Sequence, residues 1–253
     1  GKNLTIEDVK RVARDREKVE VSADTLKQVA KGRAILEKYV ARGEKIYGVT
    51  TGFGDFSKVV ISADDASKLQ TNLIRSHNAG IGDPVPEDVT RATMFARANY
   101  LASGMSGCRP IILETLIEAL NKNLYPFIPQ KGSVGASGDL AHHSGINASK
   151  IGERIEIVDG KKVESRKEQK KKGIVPIELS FKEGLALING DTLMVGYASL
   201  LVYDAMQLAK LSDIAVGMTL ESIVGITEAF DERLQKSRGF QGQIDSARNI
   251  RTV

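Results

Sequence analysis

The chain has 253 residues, of which 42% are hydrophobic and 27% charged, a composition that excludes a peptide-sized scaffold, general disorder and a membrane protein. Lys and Arg number 36 against 32 Asp and Glu, and the resulting charge of +4 is too small to favour nucleic-acid binding. The single cysteine, Cys108, cannot form an internal disulfide, which is typical of a reducing compartment. We therefore expect a cytoplasmic protein with neither a membrane nor a nucleic-acid partner.

Apolar residues at helical spacing, behind residues that favour a first turn, predict five helices. They run from Thr5 to Arg14, Ser22 to Gly43, Ser62 to His77, Pro86 to Gly104 and Pro110 to Asn123. A longer apolar pattern from Thr192 to about Ile226 carries few charges and predicts a helix through the middle of a bundle. Its candidate core positions are Leu193, Val195, Leu200, Leu201, Ala205, Leu208, Leu211, Ile214 and Met218. The sequence predicts a mainly α fold, a helical bundle with long central helices.

A small surface β-hairpin is predicted in the middle of the chain. Residues 154–158 and 161–164 flank Asp159-Gly160, a dipeptide typical of hairpin turns. The following run at 167–172 holds four lysines and no apolar partner, which predicts a solvated segment.

The densest group of small residues lies at 132–140, with the sequence Gly-Ser-Val-Gly-Ala-Ser-Gly-Asp-Leu. Glycines at every third position allow backbone approaches that a Cβ would block. Gly138 followed by Asp139 can open a helix whose N-terminus favours negative charge nearby, and a tight turn before a helix is the simpler alternative. A phosphate-binding loop is not favoured, because there is neither a Gly-Lys-Ser/Thr nor a preceding strand.

This segment resembles the signature of the aromatic amino acid ammonia-lyases and aminomutases, and four further stretches agree with it. They are YGVTTGFG at 47–54, NLIRSHNAG at 72–80, RAN at 97–99 with GMSG at 104–107, and KEGLALING at 182–190. All follow the order and approximate spacing of the family. The resemblance covers essentially the whole chain, but family members are longer, so the chain is similar to their N-terminal half. It implies their helical fold and predicts a single domain over 1–253 without the C-terminal half.

The resemblance also implies a cofactor made from the chain itself. Ala136, Ser137 and Gly138 would cyclise, by attack of the glycine nitrogen on the alanine carbonyl and loss of water, to 4-methylideneimidazole-5-one (MIO), which captures the substrate amine. Tyr47 matches the catalytic base of the family, and Asn189 matches the asparagine that hydrogen-bonds the cofactor or substrate. A phenol with an unperturbed pKa of ~10 acts as a base at neutral pH only where its site stabilises the phenolate. Without the resemblance, Tyr47 reads as a loop aromatic and Asn189 as a helix cap.

Ser76 and His77 occupy the position that selects the substrate side chain in the family. Their Ser-His pair resembles histidine ammonia-lyase, which implies a small amino acid as partner and elimination of ammonia from L-histidine to give urocanate. An imidazole can also hydrogen-bond a phenol, so tyrosine elimination and a 2,3-aminomutase reaction stay open. So does a simple contact of His77 with carbonyls at a helix end.

The segment 142–150 departs from the family, because polar residues stand where an oily helix is usual. Asn147 and Lys150 would be costly inside a protein, so we expect this surface to be exposed. The family is homotetrameric. One alternative for this chain is a truncated version with a redesigned surface, which would be a monomer. A catalytically inactive scaffold that still forms MIO is another, because later pocket residues of the family lie beyond Val253.

No metal site is predicted. His142 and His143 are adjacent, so their side chains diverge by about 100° on a helix, and no carboxylate or thiol is spaced to complete a site. Cys108 is predicted to be a packing residue.

Overall fold

The computed structural model describes residues 1–158 and 160–253, with the side chains of residues 63 and 64 outside the description. Helices dominate it, which confirms the mainly α fold. In chain order they are α1 (Ile6–Ala13), α2 (Ala23–Ala41), α3 (Ala63–His77), α4 (Glu87–Leu101), α5 (Pro110–Asn121), α6 (Leu140–Lys150), α7 (Ser165–Lys171), α8 (Glu183–Ile188), α9 (Thr192–Ser222), α10 (Glu232–Arg238) and α11 (Gln241–Thr252).

The helix starts follow the capping residues of the sequence. Thr5 forms a capping box with Asp8. The side chains of Ser22 and Ser62 each accept a hydrogen bond from the backbone N–H three residues later. Pro110 is the first residue of α5, where its missing N–H costs nothing. These local rules place all five predicted helices correctly.

Two small antiparallel sheets accompany the helices in the described residues. In one, β1 (Ile81–Pro84) pairs with β3 (Pro129–Lys131); in the other, β4 (Ile155–Val158) lies between β2 (Tyr125–Pro126) and β5 (Lys161–Glu164). The predicted hairpin is confirmed as β4 and β5, although Asp159 of its turn lies outside the described residues. The lysine-rich run at 167–172 belongs largely to α7, which buries Glu168 and Gln169 instead of being solvated all round.

The chain divides into two compact units, Gly1–Leu200 and Leu201–Val253. The core of the first unit is made of aliphatic side chains, mostly of α4, α5, α6 and α8, with α1 packed against α4. In the second unit α10 and α11 pack against each other. The candidate site residues all belong to the first unit.

The predicted exposure of α6 is wrong, because the helix is buried along its whole length, including Asn147 and Lys150. Hydrogen bonds offset the desolvation of its polar groups. Asn147 Nδ2 donates to the carbonyls of His143 and Leu187 at 2.7 and 3.0 Å, and Lys150 Nζ donates to the carbonyl of Thr115 at 2.8 Å. Burial lowers the pKa of Lys150 to about 7.

The predicted helix from Thr192 is confirmed, but most of its predicted core positions are not. Leu193 and Leu200 are buried, whereas the remaining positions are exposed: Val195, Leu201, Ala205, Leu208, Leu211, Ile214 and Met218. An apolar helix that is hydrophobic all round indicates burial, yet in the described structure the middle of α9 is largely exposed. Near its end, Asp213 accepts hydrogen bonds from Ser246 and Asn249 of α11. None of the helices in the described part of the chain is long and apolar enough to cross a membrane.

Candidate active site

The tripeptide Ala136-Ser137-Gly138 lies in an exposed turn just before α6. The φ angles of Ser137 and Gly138 are +57° and +86°, in the left-handed region that costs an L-residue free energy. A Cβ on Gly138 would lie 2.1 Å from the carbonyl oxygen of Gly190. Only glycine fits this position without a backbone shift.

A short parallel bridge joins the tripeptide to Gly190. The Gly190 N–H donates to the carbonyl oxygen of Ser137 at 3.1 Å, and the Asp139 N–H donates to the carbonyl oxygen of Gly190 at 2.7 Å. Within the described residues this bridge leaves the Gly138 N–H without a hydrogen-bond partner. The nitrogen is therefore not tied to an acceptor, as attack on a carbonyl requires, while the Ser137 carbonyl is polarised by a fixed donor.

Buried side chains hold the segment that carries Gly190. Arg97 donates from Nε and Nη2 to the carbonyl of Leu187 at 3.1 and 2.6 Å, and from Nη2 to the carbonyl of Asn189 at 2.8 Å. The Asp139 carboxylate accepts a hydrogen bond from the backbone N–H of Met194 at 3.0 Å. Because Asp139 directly follows the tripeptide, this contact fixes the tripeptide and the start of α9 to each other.

His143 of α6 holds the same segment from the opposite direction. Its Nδ1 lies 2.8 Å from the carbonyl oxygen of Ile188, which can only accept, so Nδ1 carries the proton and Nε2 accepts from the hydroxyl of Thr192 at 2.7 Å. Burial and the nearby Arg97 charge lower the pKa of His143 to about 3. The imidazole is therefore neutral at physiological pH, and both ring nitrogens are engaged.

Asn189 is the C-cap of α8, and its backbone N–H donates to the carbonyl of Leu185 at 3.0 Å. Its side chain is exposed and lines a cavity of about 340 Å³, here called the Asn189 cavity, together with Gly190 and Thr192. The cap role and the predicted contact role are compatible, because capping uses the backbone and leaves the amide side chain available.

Tyr47 lies in the turn before a short 3-10 helix at Gly54–Lys58, and 54% of its surface is exposed. Its hydroxyl oxygen accepts a hydrogen bond from the Gly54 N–H at 3.3 Å, and its ring meets that of Phe53 edge-on, with 6.1 Å between centroids. Among the described residues, no hydrogen bond joins Tyr47 to the tripeptide, to His77 or to Asn189.

Ser76 and His77 end α3 and line a second, mostly apolar cavity of about 480 Å³ with Phe53, Phe56 and Leu69. Nδ1 of His77 is 2.9 Å from the carbonyl oxygen of Leu73, so Nδ1 is the donor and Nε2 is left as an acceptor. The contact with a helix-end carbonyl and a binding role therefore coexist, one on each ring nitrogen. An imidazole N–H or a phenol O–H has the chemistry to bind at Nε2.

The short helix α8 connects the Tyr47 turn, the end of α3 and the tripeptide. A Cβ on Gly48, next to Tyr47, would lie 2.7 Å from Cδ2 of Leu185, so the Tyr47 turn packs directly on α8. On α3, the Gln70 side chain accepts a hydrogen bond from the Leu185 N–H at 3.2 Å. The residue after Asn189 forms the bridge to the tripeptide. All predicted site residues thus lie on segments that contact α8 or continue from it.

Several supporting residues escaped prediction. Arg97 and Gly190 lie inside motifs that carry the resemblance, and the sequence indicates only a helix start at Asp139. Their hydrogen bonds connect positions far apart in the chain, and no local pattern encodes those pairings. A charged Arg97 among apolar residues of a predicted helix is a signal that could have indicated a buried, hydrogen-bonded side chain.

Cys108 is buried, and burial raises the pKa of its thiol to about 11. A protonated, enclosed thiol is a poor nucleophile, which agrees with a packing role. Across the described residues there is no group of three or more His, Cys, Asp or Glu side chains that can hold a metal ion.

Comparison with known proteins identifies relatives along the whole chain. Residues 4–253 match the sequence model of the aromatic amino acid lyase family. A histidine ammonia-lyase of Caldanaerobacter subterraneus subsp. tengcongensis is 49% identical and one of Bacillus cytotoxicus 45% identical, each over 100% of this chain and 50% of the relative. The chain therefore spans about half the length of these curated relatives.

Solved structures show the same similarity. A tyrosine aminomutase from Streptomyces globisporus superposes with a TM-score of 0.94 and 42% identity, over 98% of this chain and 47% of that one. A histidine ammonia-lyase from Trypanosoma cruzi superposes with a TM-score of 0.91 and 29% identity, over 98% and 48%.

Proposed function

This chain belongs to the aromatic amino acid lyase family, and we propose that it carries the electrophile-forming part of a histidine ammonia-lyase, which eliminates ammonia from L-histidine to give urocanate. The observation that supports the proposal most is the left-handed turn at Ser137 and Gly138, pinned to Gly190 beside Asn189. The names of the curated relatives favour histidine as substrate.

The residues present fit formation of MIO. In the proposed reaction the Gly138 nitrogen bonds to the carbonyl carbon of Ala136, whose oxygen leaves as water. Ser137 then loses its hydroxyl and its α-hydrogen as a second water. The turn supports the first step because the Gly138 N–H has no competing acceptor, and it supports the second because the Gly190 N–H polarises the Ser137 carbonyl and so makes the Ser137 α-hydrogen more acidic. When formed, MIO supplies an electrophile that captures an amine, which no standard side chain offers.

The other site residues have roles that follow from their chemistry. Tyr47 is the base for the β-proton, and its hydroxyl oxygen is positioned by a hydrogen bond from the Gly54 N–H. Asn189 offers both an amide donor and an amide acceptor toward substrate or cofactor. His77, whose proton is held on Nδ1 by the Leu73 carbonyl, accepts an N–H of the substrate imidazole at Nε2.

Two further functions have specific support. Tyrosine elimination or a 2,3-aminomutase reaction is favoured by the similarity to a tyrosine aminomutase and by a His77 acceptor that a phenol would also satisfy. A scaffold that forms MIO without turnover is favoured by the chain spanning half of its relatives. We propose a cytoplasmic location, because the free Cys108 is typical of a reducing compartment. The size of the protein in solution distinguishes a monomer from a homotetramer.

The test is turnover of L-histidine and of L-tyrosine by the purified chain, followed by the absorbance of the unsaturated acid product. We expect urocanate from histidine, and a Tyr47→Phe variant should lose activity by about 10²–10⁴-fold. Tyr39→Phe, on an exposed tyrosine of α2, is the matched control and should keep it. Product from tyrosine, or a β-amino acid, would replace the histidine assignment. A modified chain without any turnover would support the inactive scaffold.

A further inference from the structure

Arg97 is a buried cation whose charge is only partly compensated. It is 3% exposed, and its Nε and Nη2 donate to backbone carbonyls, but Nη1 has no hydrogen-bond partner and no carboxylate lies within ion-pair distance among the described residues. Burial lowers the pKa of Arg97 to about 10. The charges of Asp191 and Asp139 act on Arg97 without direct contact, and a buried cation without a bonded counterion is unfavourable, so an anion beside Nη1 would be stabilised.

Nη1 lies at the wall of the Asn189 cavity. A Cβ on Gly190 would lie 2.8 Å from this nitrogen, and Arg97 and Gly190 both line the cavity. Because Gly190 has no side chain, no atom of that residue separates Nη1 from the Asn189 cavity.

Two more donors line the same cavity without partners. The hydroxyl of Ser106 is buried and makes no hydrogen bond, which is rare for a buried polar atom. The ammonium of Lys182 makes no hydrogen bond or ion pair within the described residues, and burial lowers its pKa. Three unused donors on residues that line one cavity, two of them cationic, indicate a site for an anion.

The other walls indicate what kind of anion. Tyr100, Met105, Leu185 and Ala186 give the cavity an apolar side. Asp191 is the one carboxylate of its lining, so with Arg97 and Lys182 the wall carries a net charge of +1. A volume of about 340 Å³ exceeds the needs of an inorganic ion and suits a small organic molecule.

We propose that the Asn189 cavity binds a short-chain organic monocarboxylate, whose oxygens accept hydrogen bonds from Arg97 Nη1, Ser106 Oγ and Lys182 Nζ. Its hydrocarbon part packs against Met105 and Leu185. The cavity adjoins the tripeptide turn through Gly190 and shares Asn189 with the proposed active site, but its occupancy requires neither cyclisation nor turnover.

Calorimetric titration of the purified chain with sodium butyrate, at constant ionic strength in chloride, tests the site. We expect saturable binding that weakens at least tenfold in Ser106→Ala and in Lys182→Gln, and that strengthens in Asp191→Asn. Lys31→Gln, which removes an exposed lysine of α2, is the charge-matched control and should bind like the parent chain. Circular dichroism checks that each variant is folded; Ser106→Ala removes only an unpartnered hydroxyl and should fold normally.

Titrations with butanol and with inorganic phosphate test separately whether the ligand needs a negative charge and whether it needs a hydrocarbon part. Butanol lacks the charge and should not saturate, whereas phosphate lacks the hydrocarbon and should bind at least tenfold more weakly than butyrate. As a second readout, butyrate should raise the pKa of Lys182 measured by NMR of labelled lysine. Absence of saturable butyrate binding, or binding unaffected by both donor variants, would overturn the proposal; equal binding of phosphate would overturn the organic ligand.

Discussion

Replacing Gly138 with alanine should separate the strain of the tripeptide turn from its contact with Gly190. Gly135 provides the matched control, because its φ of +72° resembles the +86° of Gly138 while its Cβ would meet nothing within 4 Å. Both alanine variants incur the cost of a left-handed L-residue, about 1–2 kcal/mol. At Gly138 the new Cβ would also lie 2.1 Å from the Gly190 oxygen, so the bridge must open.

The extra cost follows from the two hydrogen bonds of the bridge, Gly190 N–H to Ser137 and Asp139 N–H to Gly190. At about 0.5–1.5 kcal/mol each, their loss makes Gly138→Ala about 1–3 kcal/mol less stable than Gly135→Ala in urea unfolding. Mass spectrometry should show less loss of water in Gly138→Ala than in Gly135→Ala. Equal stability and equal modification in the two variants would refute the role assigned to the Gly190 contact.

Two further substitutions test buried charges. Lys150 has an ordinary pKa of 10.5, which burial lowers to about 7. The unfolded chain therefore binds the Lys150 proton more tightly than the folded chain does. The resulting penalty to folding is largest near and below pH 7 and vanishes as the pH rises to 10.5. The stability of Lys150→Met relative to the parent should therefore fall by about 4 kcal/mol between pH 7 and 10.5; a pH-independent difference in urea unfolding would contradict the burial argument. Glu183 is fully buried and accepts hydrogen bonds from Arg109 Nε and Nη2 at 2.8 and 2.7 Å, while 37% of the Arg109 side chain is exposed and therefore screened by solvent. Glu183→Gln should therefore destabilise by about 1–3 kcal/mol, the cost of weakened hydrogen bonds at a buried group. The exposed Glu178→Gln should change stability by less than about 0.5 kcal/mol, and similar effects of the two variants would count against a structural ion pair.

Local signals predicted the helices well because the information lies in adjacent residues. Ser22, Ser62 and Pro110 start helices where capping chemistry requires it, and the hairpin forms on both sides of its turn. The motif residues also lie on segments that meet at α8. The helices and the hairpin depend on interactions between residues close in sequence, whereas the site residues were identified through the resemblance.

Burial was harder to predict because it depends on distant partners. Lys150 looked like a surface residue, yet the Thr115 carbonyl satisfies its ammonium inside the protein. Leu208 and Leu211 looked like core, yet they are exposed, because apolarity in sequence does not show which partner surface is present. The pairing of Gly138 with Gly190 joins residues about fifty positions apart, so no periodicity reveals it.

Formation of MIO in this turn is tested by the intact mass of the purified chain, with fragmentation of the peptide that contains Ala136, Ser137 and Gly138. We predict a deficit of two water molecules located within these three residues, together with an absorbance band that the unmodified peptide lacks. An unchanged mass, with a serine hydroxyl still present at Ser137, would show that this turn does not form the electrophile.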